Sequence, residues 1–563
     1  MTTDRARFDR PRAARRRLLA AASALALLLA GCTKVGESGG GPAGGAGAHP
    51  DRLVVSTISD PKNLNPAFAS ATPTLELSAL LFTYAVRYDE NARPVPDAVT
   101  EIPSVANGDV SKDGLTIRYK LRHGIRWSDG QGELTCADMR STWKMMVNPK
   151  NDVDTTVGWD QIKDVDCRDP YVAVVHMKRV YAWFLQQLWG VNGNSPILPA
   201  HIIDKYDDAK GSMNSAPFNS APVGSGPYTF VSWQRGNEIR LRANPNYFLG
   251  KPQIDEIVYK IVPDGNTLVT QVQTHEIDIS WNDPVGAYTR LLGLAGVKTI
   301  APVVYVFDHM DFNLTRPLFQ DLAVRRALTY ALDRRSMIAK VERGLGELSP
   351  TFLDPTLYKD AYDPTVMQYP YDPAKARALL DADGWKPGPG GVRVKNGQRL
   401  AFQISATTEG VTAHLVEDQA QAYWRAIGAA AEVKNYPSAL FFDQVNGPLA
   451  KGNFDVGLYA WSGAPEVDQT AIYSGHFMPP HGQNYPRWRN ARATAAMDDA
   501  NATIDKARQI ADYKIVQQEF AKDDPSVILW FRKMPITYPS SLIGFTATPV
   551  ITTPFWNPWT YHF

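Results

Sequence analysis

Hydrophobic and polar positions along the chain repeat with the periods of both strands and helices. Residues 115–121 (LTIRYKL) alternate between apolar and polar side chains and predict a half-buried strand. Residues 171–177 (YVAVVHM) are almost continuously apolar and predict a strand that is covered on both faces. A long amphipathic helix is predicted at residues 503–521, and a late strand follows at residues 527–531.

Short polar signals predict where further elements begin and end. Asp321 is placed to cap a helix over residues 322–332, and Asp372 with the following proline opens a helix that Gly384 ends. Residues 396–397 (NG) predict a tight hairpin turn. Because strands and helices alternate and no repeat of 20 to 50 residues is visible, the fold class is predicted to be α/β.

The amino-terminal 49 residues follow a different pattern. An arginine-rich start precedes 13 apolar residues, 18–30, a run shorter than the roughly 20 residues that a spanning helix needs. Residues 1–31 therefore predict a secretory signal peptide, and its end (LAGC) resembles the lipobox of bacterial lipoproteins, with lipidation at Cys32. The alternative is a non-lipidated signal peptide with a chance cysteine. Residues 32–49 are glycine-rich and predict a flexible tether.

Composition and charge exclude several classes of protein. The 563 residues are 44% hydrophobic and 21% charged, values that exclude a disordered, collagenous or coiled-coil chain. Removing residues 1–31, which carry seven Arg and two Asp, lowers the formal net charge from +1 to about −4. A nucleic-acid-binding function through a broad basic surface is therefore not expected.

The two cysteines of the body, Cys136 and Cys167, predict one disulfide if the protein is exported to an oxidising compartment. The alternative is a pair of buried thiols. Three cysteines in the whole chain are too few for a disulfide scaffold or a multi-cysteine metal cluster.

Motifs of common enzyme classes are absent from the sequence. It contains no P-loop, no HExxH and no CxxC, and residues 224–226 (GSG) do not complete a GxSxG motif. His476 and His481 flank a Met-Pro-Pro segment, where two prolines prevent a helical pair of metal ligands, so solvated loop histidines are favoured. We therefore expect no enzymatic activity, no metal and no cofactor.

Ten sequence blocks, in their order along the chain, resemble one known family. The chain is similar to the family 5 solute-binding proteins of bacterial ABC importers, the group that includes oligopeptide, dipeptide and nickel binders. The blocks are NLNP (63–66), DGLTIRYKLRHGIRWSDG (113–130), LTCADM (134–139), ILPAHII (197–203), VGSGPYTFVSW (223–233), NPNY (244–247), EIDIS (276–280), DFN (311–313), AVRRALTYALDR (323–334) and DPAKARALLDADGW (372–385).

The resemblance implies a two-lobed, periplasmic-binding-protein-like fold with the ligand cleft between the lobes. Lobe I is expected at residues 50–300 plus 527–563, with an extra subdomain at about 86–215, and lobe II at residues 301–526. The function implied is a lipid-anchored, extracytoplasmic receptor that closes around a peptide by hinge motion. Its expected partners are the permease and ATPase subunits of an importer, and the receptor itself is expected to be a monomer.

In peptide-binding relatives the ligand lies between the lobes as an added strand, held by main-chain hydrogen bonds. The resemblance places the ligand strand of the second lobe at residues 459–463, with Trp461 as a cleft aromatic and with Ala460 and Ser462 as backbone partners of the ligand. Trp461 as a core residue and Asn484 as a loop-ordering residue are the alternatives. The candidate ligand contacts are Ser70, Ala71, Trp281, Tyr305, Phe307, Tyr459, Ala460, Trp461, Ser462 and Asn484.

One position departs from the family pattern. Peptide-binding relatives place an Asp shortly after the Trp of this strand, where it pairs with the ammonium group of the peptide, and the matching residue here is Ala464. Glu466 and Asp468 are the candidate replacements. A buried ammonium group without a partner costs several kcal/mol. A receptor for a non-peptide solute, and a regulatory or scaffold lipoprotein of the cell envelope, therefore stay open as alternatives.

Overall fold

The computed structural model describes residues 50–68, 72–191, 195–207, 211–281, 285–480, 482–550 and 554–563. Within these ranges strands and helices alternate, and the α/β class is confirmed. The predicted signal peptide, tether and lipidation at Cys32 lie outside the described residues, as do Ser70, Ala71 and His481.

Twenty strands occur among the described residues. They are β1 (Arg52–Thr57), β2 (Val86–Tyr88), β3 (Pro94–Pro96), β4 (Thr116–Lys120), β5 (Ile162–Asp169), β6 (Val172–Met177), β7 (Tyr228–Gln234), β8 (Glu238–Ala243), β9 (Glu256–Ile261), β10 (Ser280–Trp281), β11 (Val297–Ile300), β12 (Val303–Phe312), β13 (Gly346–Glu347), β14 (Val394–Lys395), β15 (Gln398–Arg399), β16 (Ala401–Ser405), β17 (Ala430–Val433), β18 (Val456–Ser462), β19 (Ser526–Lys533) and β20 (Ile536–Pro539).

Sixteen α-helices accompany these strands in the described ranges, and none of them is both long and apolar enough to cross a membrane. They are α1 (Thr72–Leu81), α2 (Cys136–Val147), α3 (Phe184–Gln187), α4 (Ala200–Tyr206), α5 (Gly265–Gln273), α6 (Val285–Leu291), α7 (Pro317–Gln320), α8 (Leu322–Tyr330), α9 (Arg334–Lys340), α10 (Pro373–Ala382), α11 (Val411–Arg425), α12 (Ser438–Phe441), α13 (Pro448–Lys451), α14 (Thr470–Tyr473), α15 (Ala491–Asn501) and α16 (Lys506–Asp523).

We call residues 50–300 the first half of the chain and residues 301–563 the second half. The first half forms a four-stranded sheet in the order β1-β9-β8-β7. Strand β1 is parallel to β9, whereas β9, β8 and β7 are antiparallel neighbours. A bridge from Val55 to Ile279 connects β1 to the segment that leads into β10, and β10 joins β20 and β11 in a three-stranded sheet. Strands β4, β6 and β5 form a separate antiparallel sheet.

The second half contains a six-stranded sheet in the order β13-β19-β12-β18-β16-β17. Strand β12 lies inside it, antiparallel to both β18 and β19. Strand β16 is parallel to β17 and to the start of β18. The apolar faces of α8, α10 and α11 pack with this sheet in one core, which includes Leu328, Leu380 and Trp424.

A further core joins residues from both halves. Tyr88 and Trp183, from the first half, belong to the same buried cluster as Tyr305, Phe307 and Tyr513, from the second half. The indole N–H of Trp183 donates a hydrogen bond to Asn501 Oδ1. Contacts between the two halves therefore include buried aromatic side chains and a specific side-chain hydrogen bond.

The local signals in the sequence predicted several elements closely. Asp321 and Asp372 are the N-cap residues of α8 and α10, and their carboxylates accept hydrogen bonds from the backbone N–H groups of Ala323 and Lys375. The hairpin between β14 and β15 turns at residues 396–397, both with positive φ as a two-residue turn of this kind requires. The predicted late helix and strand are present as α16 and β19.

One strand differs from its prediction in its environment. Residues 171–177 contain β6, but its burial alternates between Ala173, Val175 and Met177, which are buried, and the intervening residues, which are partly exposed. The strand lies in the middle of the small sheet of β4, β6 and β5, where one face packs on the core and the other is half open. The prediction of a strand covered on both faces is therefore wrong.

The predicted disulfide is present. Cys136, the first residue of α2, is bonded to Cys167 in β5, with the two Cα atoms 5.5 Å apart. The bond ties the helix to the sheet that it packs against.

The lobe boundaries stay a prediction. Strand β19 begins at Ser526 and pairs with β12 in the six-stranded sheet, whereas β20 pairs with β10 and β11. This pairing favours a return to lobe I after Lys533 instead of at residue 527.

Candidate functional site

A pocket of about 120 Å³ lies at the end of β1, and we call it the α1 pocket. It is lined by residues 57–59, by Thr72, Pro73 and Glu76 of α1, and by Trp281 of β10. Trp281, a predicted ligand contact, is only 3% exposed and is held in place by the pairing of β10 with β20. An indole ring and a carboxyl group therefore meet in one small cavity.

Among the described residues that line the α1 pocket, Glu76 is the one with a titratable side chain. Its burial raises its pKa. It sits in a helix whose residues from Pro73 to Leu81 are all buried, and Glu76 itself is 1% exposed. The hydroxyl of Tyr259 donates a hydrogen bond to the carboxyl, and the side chain of Trp281 also hydrogen-bonds it. Burial raises the pKa of Glu76 from 4.5 to about 8, because these bonds only partly offset the loss of solvation.

Strand β18 has an edge that is free along its second half. Its pairing with β16 covers only Val456 and Gly457, whereas its pairing with β12 continues to Ser462. Beyond Gly457, the side of β18 that faces away from β12 therefore has no strand partner among the described residues.

The register shows which backbone groups face this free edge. The N–H of Gly463 donates to the carbonyl oxygen of Tyr305 at 2.6 Å, so Gly463 and, by alternation, Trp461 and Tyr459 bond to β12. The N–H and C=O groups of Ala460 and Ser462 then point to the opposite side. These are the two residues predicted as backbone partners of the ligand, and the geometry favours that role.

Three of the predicted ligand contacts have core side chains. Phe307 is 1% exposed and packs against Phe531 with ring centroids 5.3 Å apart. Tyr305 is 5% exposed and packs edge-on against Tyr358, and Tyr459 donates a hydrogen bond to Asp311. Burial raises the pKa of the Tyr459 hydroxyl well above its usual value. The predicted role of these three side chains as ligand contacts has no support from this geometry.

Trp461 and Asn484 have different environments. Trp461 is partly exposed and packs on the core that joins both halves of the chain. Asn484 is fully buried, and its amide donates to the carbonyl oxygens of Ser474 and Trp488 and accepts from the N–H of Trp488. The contacts of Asn484 therefore favour the loop-ordering alternative.

The two candidate partners for a ligand ammonium group are engaged within the chain. Glu466 forms an ion pair with Lys506. Asp468 accepts hydrogen bonds from the N–H of Thr470 at 2.9 Å and from the hydroxyl of Tyr513 at 3.0 Å, and burial raises the pKa of its carboxyl. Neither side chain supplies an uncommitted carboxylate near the free edge.

A buried Ser, His and Asp cluster has the wrong geometry for nucleophilic catalysis. His309 Nδ1 lies 3.0 Å from Asp311 Oδ1 and 3.2 Å from the Ser526 hydroxyl, so both partners approach the same ring nitrogen. A catalytic triad needs the Ser and the Asp on different nitrogens. All three residues are at most 2% exposed, which indicates a structural cluster within the six-stranded sheet.

Sequence analysis missed Glu76, although a signal for it exists. Glu76 stands in the run LELSALL, where apolar residues precede it and follow it in a helix of low polarity. An acidic residue in such a run is rarely buried without a partner or a function. The sequence pattern around Glu76 does not predict the pocket itself, because Tyr259 and Trp281 belong to strands that are distant in sequence.

Comparison with known families gives a match over most of the body. The family model described as bacterial extracellular solute-binding proteins, family 5, middle region, matches residues 94–478, which is more than half of the chain. Among curated proteins, the oligopeptide-binding protein AppA of Bacillus subtilis (strain 168) is 26% identical over 536 residues, covering 94% of this chain and 96% of that protein. The dipeptide-binding protein of Escherichia coli (strain K12) is 24% identical over 511 residues, covering 85% and 88%.

Solved structures share the fold along nearly the whole body. AppA from Bacillus subtilis in complex with a nonapeptide superposes with a TM-score of 0.74 at 24% identity, covering 91% of this chain and 98% of that one. NikA from Brucella suis in complex with Fe(III)-EDTA superposes with a TM-score of 0.79 at 21% identity, covering 90% and 99%. The two-lobed binding-protein fold that the sequence predicted is confirmed.

Proposed function

Because the chain belongs to the family 5 bacterial extracellular solute-binding proteins, we propose that it is the peptide-binding receptor of an ABC importer. The observation that carries the peptide assignment is the free edge of β18, where the backbone groups of Ala460 and Ser462 face away from β12. An extended peptide adds to such an edge through its main chain and so binds largely independently of its sequence. The names of the two curated relatives, an oligopeptide and a dipeptide binder, support the same class of ligand.

Binding is proposed to be non-covalent and coupled to closure of the two lobes. The buried cluster that joins Tyr88 and Trp183 to Tyr305 and Tyr513 holds the two halves together in this structure. A ligand favours the closed state only through contacts that it lacks in the open state. Peptide main-chain bonds to β18, together with contacts to the α1 pocket, would provide such a difference. The chain itself is proposed to have no catalytic role.

The cellular setting is part of the proposal. The amino-terminal pattern supports export and attachment of a lipid at Cys32, which would hold a monomeric receptor at the outer face of the cytoplasmic membrane or in the periplasm. Its partners there would be the permease and, through it, the ATPase of the importer.

A receptor for a non-peptide solute is the second candidate. Two observations favour it: Ala464 stands where peptide binders have an Asp, and Glu466 and Asp468 are occupied by Lys506 and Tyr513. The regulatory or scaffold alternative predicts that no solute binds at all.

Substitution of Ala460 by proline tests the peptide assignment directly. The full chain is prepared as Cys32→Ser, which removes the proposed site of lipidation, and affinity is measured by calorimetry for a series of peptides of two to nine residues. Ala460→Pro removes an N–H that faces away from β12, so the sheet pairing is kept while one bond to the ligand is lost. We expect affinity to fall by about tenfold or more, the effect of losing one hydrogen bond of about 1.4 kcal/mol.

Ala460→Val is the matched control, because it adds side-chain bulk but keeps the N–H group. Equal affinities for the proline and valine variants would contradict binding by strand addition at β18. If no peptide binds to the unsubstituted chain, the peptide assignment itself is wrong and the two alternatives remain.

A further inference from the structure

The carboxyl group of Glu76 in the α1 pocket has hydrogen-bond donors, but the described residues that line the pocket supply no cation. Tyr259 and Trp281 both hydrogen-bond the carboxyl of Glu76, and these bonds favour its ionised form. Within the part of the chain that the structure describes, no basic side chain lines the pocket; the described lining residues are 57–59, Thr72, Pro73, Glu76 and Trp281. If Glu76 ionises, its carboxylate would therefore have no counter-ion among the described residues that line the pocket.

The buried carboxyl group of Asp97, unlike that of Glu76, is paired with a cation. Asp97 is also fully buried, but the guanidinium of Arg87 lies 2.7 Å from its Oδ2 atom. Buried charges in proteins are normally paired in this way. Glu76 is likewise buried and hydrogen-bonded, but the space beside its carboxyl group is a cavity instead of a basic side chain of the described residues.

The pocket also suits a cation by its shape and by its aromatic ring. A volume of about 120 Å³ admits a terminal group of a few heavy atoms, since a cavity of about 10 to 15 Å³ already holds one water molecule. Trp281 presents the ring type that attracts cations most strongly. The hydroxyl-bearing residues Thr57, Ser59 and Thr72 add acceptors for N–H groups.

We propose that the α1 pocket binds a primary ammonium group of the peptide, with Glu76 as its counter-ion and Trp281 as an aromatic wall. The inference rests on the peptide-binding function proposed above. It makes Glu76, near the amino-terminal end of the sequence, the partner of the ligand's positive charge in place of Glu466 and Asp468. Glu76 then determines specificity, since it selects peptides that carry a free amine.

Binding of the ammonium group would release a proton. Burial raises the pKa of Glu76 to about 8, so the free protein holds the carboxyl protonated at neutral pH, and pairing with a cation favours its ionised form. The proton on the carboxyl passes to solvent as the ion pair forms. The titratable group that faces Glu76 is Tyr259 on β9, and burial together with the nearby Glu76 carboxyl raises its pKa well above 10, so Tyr259 stays neutral throughout.

The test uses the full Cys32→Ser chain and two matched peptide pools, a tryptic digest of casein and the same digest acetylated at its amines. Binding is quantified by native mass spectrometry at pH 6.5, and proton release by calorimetry in two buffers of different ionisation heat. We expect the free-amine pool to bind at least tenfold more tightly than the acetylated pool. We also expect nearly one proton to be released for each peptide bound.

Glu76→Gln keeps the shape of the side chain and an acceptor for Tyr259, so we expect it to fold. It should lose both the tenfold preference and the proton release. Trp281→Phe is a second test variant, which keeps an aromatic ring but removes the indole N–H. It should weaken the preference for free-amine peptides severalfold. The matched control is Glu276→Gln, which removes an exposed carboxylate that lies 3.7 Å from Lys260, and it should leave both readouts unchanged.

The outcomes separate this inference from the proposed function. Equal binding of the two pools, or a tenfold preference that survives in Glu76→Gln, would overturn the ammonium site and leave peptide binding in place. If neither pool binds, the peptide function is overturned and the ammonium site with it.

Discussion

Glu76 and Asp311 are both buried carboxyl groups, yet their surroundings differ in kind. Asp311 is bonded by Tyr459, His309 and Ser526, all of which are themselves buried in the six-stranded sheet. Glu76 is bonded by Tyr259 and Trp281 but also lines a pocket. A fully enclosed network is the usual state of buried polar groups, whereas a perturbed carboxyl that faces a cavity is typical of a binding site.

The first prediction concerns the pH dependence of stability at Glu76. Its pKa is about 8 in the folded protein and 4.5 in the reference state, so the folded chain holds the proton between these values while the unfolded chain does not. The free energy of unfolding should therefore decrease as pH rises from about 5 to 8, by about 1.4 kcal/mol per pH unit, and level off above 8. Glu76→Gln should lack this part of the slope.

Urea denaturation of the two proteins at pH 5, 6.5, 8 and 9 measures this difference. The Gln variant should gain stability relative to the unsubstituted chain up to pH 8 and keep the gain at pH 9. A difference that stays constant from pH 5 to pH 9 would mean that the carboxyl ionises normally, and its burial would then have no consequence for ligand charge.

At the scale of single elements, the sequence predicted what depends on neighbouring residues. Asp321 and Asp372 marked helix starts because a cap is a local hydrogen bond, and residues 396–397 marked a hairpin because only a few residue types adopt positive φ. The free edge of β18 depends on where β16 ends, 51 residues earlier in the chain than β18 begins. The ligand strand at residues 459–463 is predicted by the family resemblance, and no local sequence pattern predicts its free edge.

Burial was harder to predict than element type. The apolar run at residues 171–177 gave the strand β6 correctly but the wrong environment, because the run does not show how many layers cover a sheet. In the same way, the family resemblance makes Tyr305 and Phe307 candidate ligand contacts but does not show their environment. Their packing against Tyr358 and Phe531 depends on tertiary contacts that no local spacing encodes.

The second prediction concerns the disulfide between α2 and β5. Replacing both Cys136 and Cys167 by Ser should lower the free energy of unfolding by about 3 to 4 kcal/mol, because the bond closes a loop with a sequence separation of 31 residues and restricts the unfolded chain. Urea denaturation of the double variant measures the loss. Unchanged stability would show that the bond contributes nothing to the fold, and alkylation of two thiols in the unreduced protein would show that it does not form.

At the scale of the whole molecule, the two halves of the chain share a buried aromatic cluster. Trp183 packs edge-on against Tyr513 with ring centroids 6.4 Å apart, and Lys506 lies 5.4 Å from the Trp183 ring. The hydrogen bond from Trp183 to Asn501 adds a polar contact between the halves. In a protein whose lobes close around a ligand, such contacts belong to the energy difference between the open and closed states.

The third prediction follows from this contact. Trp183→Phe keeps an aromatic ring but removes the N–H bond to Asn501, so the closed state should lose about 1 kcal/mol relative to the open state. The radius of gyration from small-angle X-ray scattering should rise, and peptide affinity should fall about fivefold. The matched control is Trp233→Phe, whose N–H bond to Asp60 at 2.9 Å lies within the first half of the chain.

Equal radii of gyration for Trp183→Phe and Trp233→Phe would contradict a role of the Trp183 contact in closure. A fall in affinity in both variants would point to a general loss of stability, which thermal unfolding of the two proteins would reveal.

The central claim is that the two-lobed body binds peptides, and the most direct measurement is of what the protein carries. The Cys32→Ser chain is purified from the cells that produce it and weighed by native mass spectrometry, and the species bound to it are then released and identified. We predict a spread of added masses that release as free-amine peptides of several lengths. A saturating peptide, at about 100 times its dissociation constant, should then add about 2.7 kcal/mol to the stability of the stripped protein. A single non-peptide species, or a bare protein that no peptide stabilises, would contradict the claim.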